Sequence, residues 1–460
     1  MRRDRLTWTL YGAFVAWGWF LYSFNPSVPL LADEFGISAA QAGLHGTAMA
    51  VGAVLASWVA PTVVRGRGRR TAIASALGLV ALGVVGLLLA PSLWVSLPSM
   101  AVLAVGGNVA IASSQAGLAR HHGPAASAAV TEANGVGSTV GLVGPLAAGA
   151  CVAIGWGWRP AVAVTVALAG LVAWFVLRIP VGGAMTPPAG SRPSPSGEQG
   201  TDEVSTSDEA VPPGERAVVD RLAGDEHVPG RRLAAWCFLG SLVAAIALEN
   251  VTTYWSTDLV REQTAAGAGI ATATTAGFVA GLSAVRFVVG PMSLRVRPAM
   301  LLAVSFAVTV LGWAVLWTAS SPSVAVAGLV VAGLGCGAQY PLSVALLLST
   351  APGAQDRAQA HATLAGGLAI GIAPFVLGAL ADAVGVHTAF LVVPVIAAAG
   401  GVAAVLGGRA LLAARLARVA HAAAAPTPAP QAPDPHSPAP HAPGAPAPAA
   451  PPPAPVHPSH

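Results

Sequence analysis

Apolar runs of about 20 to 30 residues recur along this chain, separated by short charged or Pro/Gly breaks. That length limits the fold more than any other feature, because a helix needs about 20 apolar residues to cross the ~30 Å hydrocarbon layer. The runs fall near 6–31, 43–64, 71–90, 93–118, 124–153 and 160–179, and again near 233–257, 266–292, 299–318, 322–349, 357–380 and 386–407. They predict about twelve transmembrane helices. Lipid leaves only helices or closed barrels, since backbone polar groups must be satisfied within the protein, and these runs are too long and too evenly apolar for barrel strands. Composition agrees: 55% of the residues are hydrophobic and 9% charged, against about 25% charged in a soluble domain. The expected class is an all-α polytopic membrane protein. The start, "MRRDRLTWTLYGAF", is basic, but its apolar run passes residue 30 without a clear cleavage site and reads as a retained first span.

The net charge of +4 does not point to nucleic acid. All 23 basic residues are arginine, and most sit in short loops. Arg2, Arg3 and Arg5 precede the first span. Arg65, Arg67, Arg69, Arg70, Arg120, Arg178, Arg231, Arg232, Arg295, Arg297, Arg357, Arg409, Arg415 and Arg418 fall on the same side of a twelve-span arrangement. The opposite side receives Arg159 and Arg261. Arginine marks cytoplasmic loops, so both termini are expected in the cytoplasm. Cys151, Cys237 and Cys336 are isolated in apolar runs, with neither disulfide nor metal-ligand spacing.

Between the two sets of runs lies 180–231, rich in Pro, Ser, Gly and acids, which reads as a disordered cytoplasmic linker. The Pro/Ala-rich segment 408–460 reads as a disordered tail, and its scattered histidines as low complexity rather than a metal site. The expected organisation is a six-helix half over 1–179, the linker, a second six-helix half over 232–407 and the tail. The halves match each other weakly but collinearly. "SAAQAGL" at 38–44 parallels "TAAGAGI" at 264–270, "RGR" at 65–67 parallels "RVR" at 295–297, Gly106 parallels Gly335, and "GPLAAGACVAIG" at 144–155 parallels "APFVLGALADAVG" at 373–385. Two pseudo-symmetric halves imply a pathway at their interface.

With those features in place, the chain resembles the major facilitator superfamily over roughly residues 6–407. The family's motif after the second helix, G-x-x-x-D-R-x-G-R-R, is matched by "PTVVRGRGRR" at 61–70 in Gly68, Arg69 and Arg70. Arg65 holds the aspartate position and Pro61 the first glycine. "GLVGPLAAG" at 141–149 resembles the family's fifth-helix kink, here Gly144 and Pro145. "GWGWRP" at 155–160 resembles the Trp-Arg that follows that helix, and "ENVTTYWSTDL" at 249–259 a seventh-helix pattern of some bacterial members. The resemblance implies a permease that moves a small solute through a bacterial plasma membrane by rocking two halves in alternating access. Proton coupling is an option, a monomer is the usual state, and no cofactor is implied.

Charges inside a bilayer cost several kcal/mol and face a cavity or a partner. Three qualify: Glu132, Glu249 and Arg286. Glu249 lies roughly 25 Å along the seventh span, near the depth of Asn25 in the first. With Asn250 and Asn25 it can line one side of a substrate cavity, or it can be a protonated acid bonded to a neighbouring helix. Glu132 and Arg286 each lie ~12 Å from a cytoplasmic helix end. The resemblance puts their helices side by side, so they are expected to pair as an inner gate or as a static bridge. His361 is the repeat counterpart of Glu132 and can relay protons or simply be satisfied in place. Asn108 and Gln339 can bond substrate or another helix. Asn134, Gln115 and Tyr340 are weaker candidates of that kind. Gly43, Gly46, Gly277 and Gly281 fit close helix packing. Trp8, Trp94, Trp156, Trp158 and Trp317 fit interface anchors.

Other function classes fare worse. A chain without lysine has no P-loop, which argues against ATP-driven pumping. A membrane enzyme needs a convergent catalytic set, and the one His pair, "RHHGP" at 120–124, has no acid beside it in its loop. A sensor on a non-transporting fold has only low-complexity segments to signal through. The solute itself is not named by the sequence, though few charges line the expected cavity, which mildly favours neutral or amphiphilic molecules.

Overall fold

The computed structural model describes residues 3–180, 182–185, 229–293, 295–351 and 355–424. The central part of the expected linker, 186–228, and the tail from 425 lie outside the described residues. The described part is nearly all helical: α1 (Arg5–Phe24), α2 (Val28–Phe35), α3 (Ala39–Leu88), α4 (Leu93–His122), α5 (Ala126–Gly141), α6 (Val143–Ala153), α7 (Arg159–Leu177), α8 (Pro229–Thr264), α9 (Ala268–Ser293), α10 (Pro298–Trp317), α11 (Pro322–Ser349), α12 (Gln355–Val384), α13 (Val386–Ala389) and α14 (Val392–Ala424). Ten of the helical segments are long and apolar enough to cross a membrane. One of them, α3, holds two crossings, and α1 with α2 makes the remaining one, so the twelve expected spans are accounted for.

Each departure from a straight span has a local cause. The 50 residues of α3 would run ~75 Å if straight, far beyond one bilayer. Gly68 interrupts them with φ 80° and ψ 163°, a conformation open almost only to glycine. The expected loop of the second and third spans is therefore a single sharp reversal. In the first span Pro26 and Pro29 each remove an N–H from the helical ladder. The chain answers with a 3₁₀ turn at Asn25–Ser27 between α1 and α2. Pro145 cannot donate to Gly141, and α5 ends at Gly141 before α6 starts at Val143. At the end of the described chain, α14 runs on to Ala424, past the span expected to stop near 407. The added stretch is mostly Ala, Leu and Arg, which are strong helix formers.

The repeat shows in packing as well as in sequence. A Cβ on Gly106 of α4 would stand 2.5 Å from the Ala76 carbonyl oxygen of α3, and one on Gly335 of α11 would stand 2.6 Å from the Ser305 carbonyl oxygen of α10. The same helix pair is thus pressed backbone to backbone in each half, through glycines in matching places. Gly43 and Gly46 lie just as close to Pro374, Phe375 and Ile370 of α12, and Gly277 and Gly281 to Val326 and Val330 of α11. Lipid supplies no hydrophobic drive between helices, so close backbone approach carries much of their association.

The tryptophans divide. Trp8, Trp94 and Trp156 are exposed, as anchors should be, at 54%, 83% and 69%. Trp158 and Trp317 are less open. Trp158 is 3% exposed and donates its indole N–H to Glu34, while Trp317 stacks on His387 and donates to its carbonyl. Both indole N–H groups have protein partners in part-buried contacts.

Candidate functional site

The 3₁₀ turn at Asn25–Ser27 lies where the two halves meet. Asn25 is 4% exposed, and its amide approaches the Thr253 hydroxyl of α8 at 3.4 Å. One turn along α8, Thr257 donates to the Pro26 carbonyl at 2.9 Å. One turn back along α1, the Tyr22 hydroxyl approaches Oε1 of Glu249 at 3.4 Å. The first span thus presents a tyrosine, an amide and a backbone carbonyl to one stripe of α8. Gly144 permits this: a Cβ there would stand 2.9 Å from the Ser23 nitrogen, so the kinked fifth span packs directly on the α1 backbone beside Tyr22.

Glu249 has a second partner. Oε2 stands 3.9 Å from Nη2 of Arg286 on α9, and the two side chains keep 26% and 23% of their surface accessible. Tyr22 couples to Arg286 too, and Tyr340 of α11 lies within electrostatic reach of both charges. The result is a carboxylate and a guanidinium in loose contact, bordered by two phenols, in the middle of the bundle where the halves face each other.

This corrects the expected pairing of Glu132 with Arg286. Glu132 instead takes Arg3, through Nε to Oε1 at 2.7 Å and Nη2 to Oε2 at 3.2 Å. The cause is the tilt of helical side chains toward their own N-terminus. α5 starts at the arginine-rich end, so Glu132 leans out toward Arg3. α9 starts at the other end, so Arg286 leans away from that mouth and deeper into the bundle. α8 starts at the arginine-rich end, and Glu249 leans back to meet it. Depth counted on Cα positions alone missed this convergence.

The remaining candidates scatter. Asn108 and Asn250 are half-buried, each with one amide N–H donated to its own helix, to the Ala104 and Ile246 carbonyls at 2.8 Å. Gln339 is 0% exposed and donates to Thr309 at 2.8 Å and Ser305 at 3.4 Å. Its Nε2 ties α11 to α10 within one half, while its buried Oε1 has no hydrogen-bond partner among the described residues. His361 is exposed on α12 and joins neither charge pair. Gly68 forms the α3 reversal. Arg69 and Arg70 donate to the Ala184 and Ile179 carbonyls at 2.5 and 3.2 Å. The loop motif therefore grips the start of the expected linker, within its own half.

At the end away from the arginine-rich loops the halves are bolted together. The Asp382 carboxylate accepts the N–H groups of Ala39 and Ala40 at the head of α3. Thr47 donates to the Gly371 carbonyl at 2.6 Å, and Arg261 pairs with Asp33 at 2.8 Å. Gly149 and Gly269 meet backbone to backbone. Among the described residues, the hydrogen bonds between halves lie at this end or at the Glu249 layer. Tyr22, Thr47, Thr257 and Asp382 were not singled out from sequence. Tyr22 was open to it, since it precedes Asn25 by one helical turn.

Two six-helix halves in repeat, around a mid-bundle charge cluster and shut at one end, define a polytopic carrier fold. The chain belongs to the Major Facilitator Superfamily, whose sequence profile matches residues 9–254 and again 237–451. No curated protein sequence matches it. Among solved structures it is similar to a bacterial homologue of the human lysosomal transporter Spinster, in an inward-facing and unoccupied conformation (14% identity, TM-score 0.67, covering 90% of this chain and 99% of that one). It is also similar to a D-xylose–proton symporter (13%, TM-score 0.68, 88% and 96%) and to the nucleoside transporter NupG (11%, TM-score 0.64, 88% and 98%). These likenesses are of fold.

Proposed function

We propose that the chain is a secondary active transporter that carries a small solute across a bacterial plasma membrane by alternating access, coupled to protons through Glu249. The observation that carries the reading is the Glu249–Arg286 pair, 3.9 Å apart and bordered by Tyr22, at the layer where the halves meet. A carboxylate held loosely by a guanidinium, with part of its surface accessible, can exchange that partner for a proton. A bolted end opposite the arginine-rich loops fits one half-cycle of alternating access.

On this reading the arginine-rich end faces the cytoplasm by the positive-inside rule, both termini lie inside and the bolted end is the outer one. Asn25, Asn108, Asn250 and Gln339 remain, with Glu249, the polar groups offered to a solute. Glu132 serves at the inner mouth with Arg3 as its partner. His361 stays a candidate proton relay near the inner surface. The chain works as a monomer in the lipid bilayer, with no cofactor.

The test compares small molecules inside and outside bacterial cells expressing the intact chain, Glu249→Gln, or no transporter. The reading expects at least one solute whose distribution depends on the intact chain and collapses in the Gln form. Identical profiles for the intact chain and the empty cell would remove it. A distribution unchanged by Glu249→Gln would remove Glu249 from the coupling step.

A further inference from the structure

We infer that the transported solute is a monoanion, held by Arg286 and carried together with one proton on Glu249. The inference rests on the transport reading above and goes beyond it by naming the charge of the cargo.

It starts from how Arg286 is held. A guanidinium has five N–H donors in a rigid fork and is always charged. In the middle of a bundle such a group needs partners. Among the described residues its ion-pair contact is the 3.9 Å approach to Glu249, longer than the roughly 2.7–2.9 Å of a charge-assisted hydrogen bond. Arg159 and Arg3 show what fuller satisfaction looks like here: Arg159 donates to Glu34 and to the Leu88 carbonyl, and Arg3 donates to both carboxylate oxygens of Glu132. Beyond Glu249, Arg286 meets the Tyr22 hydroxyl, and with 23% of its side chain accessible the five-donor fork keeps donors for a solute. A planar fork with spare donors fits a carboxylate or another singly charged oxyanion.

Charge balance supplies the proton. With Glu249 ionised and Arg286 charged, the site sums to zero. An anion arriving at Arg286 would leave a net negative charge in a low-dielectric site, which is costly. The groups that face Glu249 are Arg286, Tyr22, Tyr340 and the Cys336 thiol. Phenols and a thiol, with reference pKa values of about 10 and 8.5, bring no second cation at neutral pH. Neutrality is restored when Glu249 takes a proton from water, its contact with Arg286 parts, and the solute oxyanion takes the place of the Glu249 carboxylate on the fork. Net charge is zero before and after, so the halves rock around a neutral site in both loaded and empty forms. This departs from the mild preference for a neutral solute, which assumed a cavity without counterions.

The test uses the purified full chain in liposomes, with an imposed pH gradient and two kinds of cargo. One is the skeleton-matched series gluconate, glucose and glucosamine. The other is a bacterial small-molecule extract sorted by charge after mass spectrometry. The expected result is proton-driven movement of gluconate or of singly negative extract components, with neutral and cationic components left behind. Arg286→Gln should lower that flux by about a hundredfold, the loss of roughly two charge-assisted hydrogen bonds. Arg286→Lys, which keeps the charge without the fork, should lose less. Glu249→Gln should still exchange anion for anion but no longer respond to the pH gradient.

Because Arg286→Gln leaves Glu249 without its cation and can fail to fold, Arg286→Lys and the paired Glu249→Gln/Arg286→Gln form carry the argument. Movement of glucose, glucosamine or other non-anionic components, unchanged in Arg286→Lys and in the paired form, would overturn this inference and leave the transport reading standing. If nothing moves in any charge class, the transport reading falls and this inference falls with it.

Discussion

The Asp382 carboxylate accepts the backbone N–H of Ala39 on one oxygen and that of Ala40 on the other, both at 2.8 Å. A side chain of one half thus caps a transmembrane helix of the other. The first turn of α3 is otherwise closed by its own capping box, in which the Ser38 hydroxyl takes the Gln41 N–H and the Gln41 side chain takes the Ser38 N–H. The bond exists only while this end is shut, so it weights the equilibrium toward the shut form. Asp382 is exposed, so water partly replaces it, and its loss should cost about 1 kcal/mol, as for an ordinary N-cap. Asp382→Ala should therefore raise labelling of a cysteine placed at buried Ala42 about fivefold, by an impermeant maleimide, in a chain whose native cysteines are replaced by alanine. Unchanged labelling would show that the cap does not weight the equilibrium.

Gly149 and Gly269 supply the second bolt at that end. A Cβ on Gly269 would stand 2.6 Å from the Gly149 carbonyl oxygen, closer than real Cβ atoms come to backbone. Helix backbone cannot give way as a side-chain tip can, so Gly269→Leu must part α6 from α9. The expected outcome is a folded chain that cannot shut this end: labelling at Ala42 rises, and the melting temperature falls by several degrees, as for about 1–3 kcal/mol of overpacking. A melting point and labelling equal to the parent's would mean that the contact is loose.

Span number, the doubled architecture and the family were readable because each rests on local signals: apolar run length, arginine placement and collinear glycine patches. The Gly68 reversal was readable as a loop for the same reason. What was not readable is which charged side chains meet. Glu132, Glu249 and Arg286 were picked out as the costly charges, and their partners were then assigned by depth along each helix. Side-chain tilt and the reach of Arg286 act across helices and reverse that assignment. Gln339 shows the other limit. A polar residue in mid-span looks the same in sequence whether it lines a pathway or ties α11 to α10.

Asp4 makes one pH-dependent contribution outside the bilayer. Burial disfavours its charge, but the Thr7 backbone N–H, the Thr7 hydroxyl and the His121 ring outweigh that effect and bring its carboxyl from an ordinary 3.8 to about 2. A carboxylate lowered on folding stabilises the fold above its unfolded pKa, and the contribution fades as pH falls from about 4 to about 2. Asp4→Ala also removes the N-cap of α1, worth about 1 kcal/mol. The melting temperature of Asp4→Ala should lie below the parent's at pH 7, and the gap should narrow on acidification through that window. A gap constant with pH would assign the effect to packing rather than to the charged cap.

The loop motif holds the start of the linker by Arg69 and Arg70, over a Met185 that is 0% exposed. Arg69 reaches Ala184 because Gly68 turns the chain in a conformation that costs other residues about 1–3 kcal/mol. Arg69→Ala should release this segment without unfolding the bundle. Limited proteolysis should then cut near 180–185 faster than in the parent, while Arg69→Lys falls between. Gly68→Ala should lower the melting temperature as well. If Arg69→Ala is cut no faster, packing of Met185 alone holds the segment.

Glu249 and Arg286 should be strongly non-additive. Removing one member of a charge pair away from bulk water leaves the other uncompensated, whereas removing both leaves no orphan charge. Fully buried pairs lose about 3–5 kcal/mol when broken. Each of these side chains keeps about a quarter of its surface accessible, so about 1–2 kcal/mol is the expected cost of Arg286→Gln. Glu249→Gln should cost about as much, because it strands the guanidinium. The double variant should cost less than the sum of the two, by about 1 kcal/mol, since the groups touch. Melting curves of the four proteins in one detergent at pH 7 close the cycle. Strict additivity would mean that the 3.9 Å approach carries no coupling, and the stabilising role given to this pair would then pass to Tyr22.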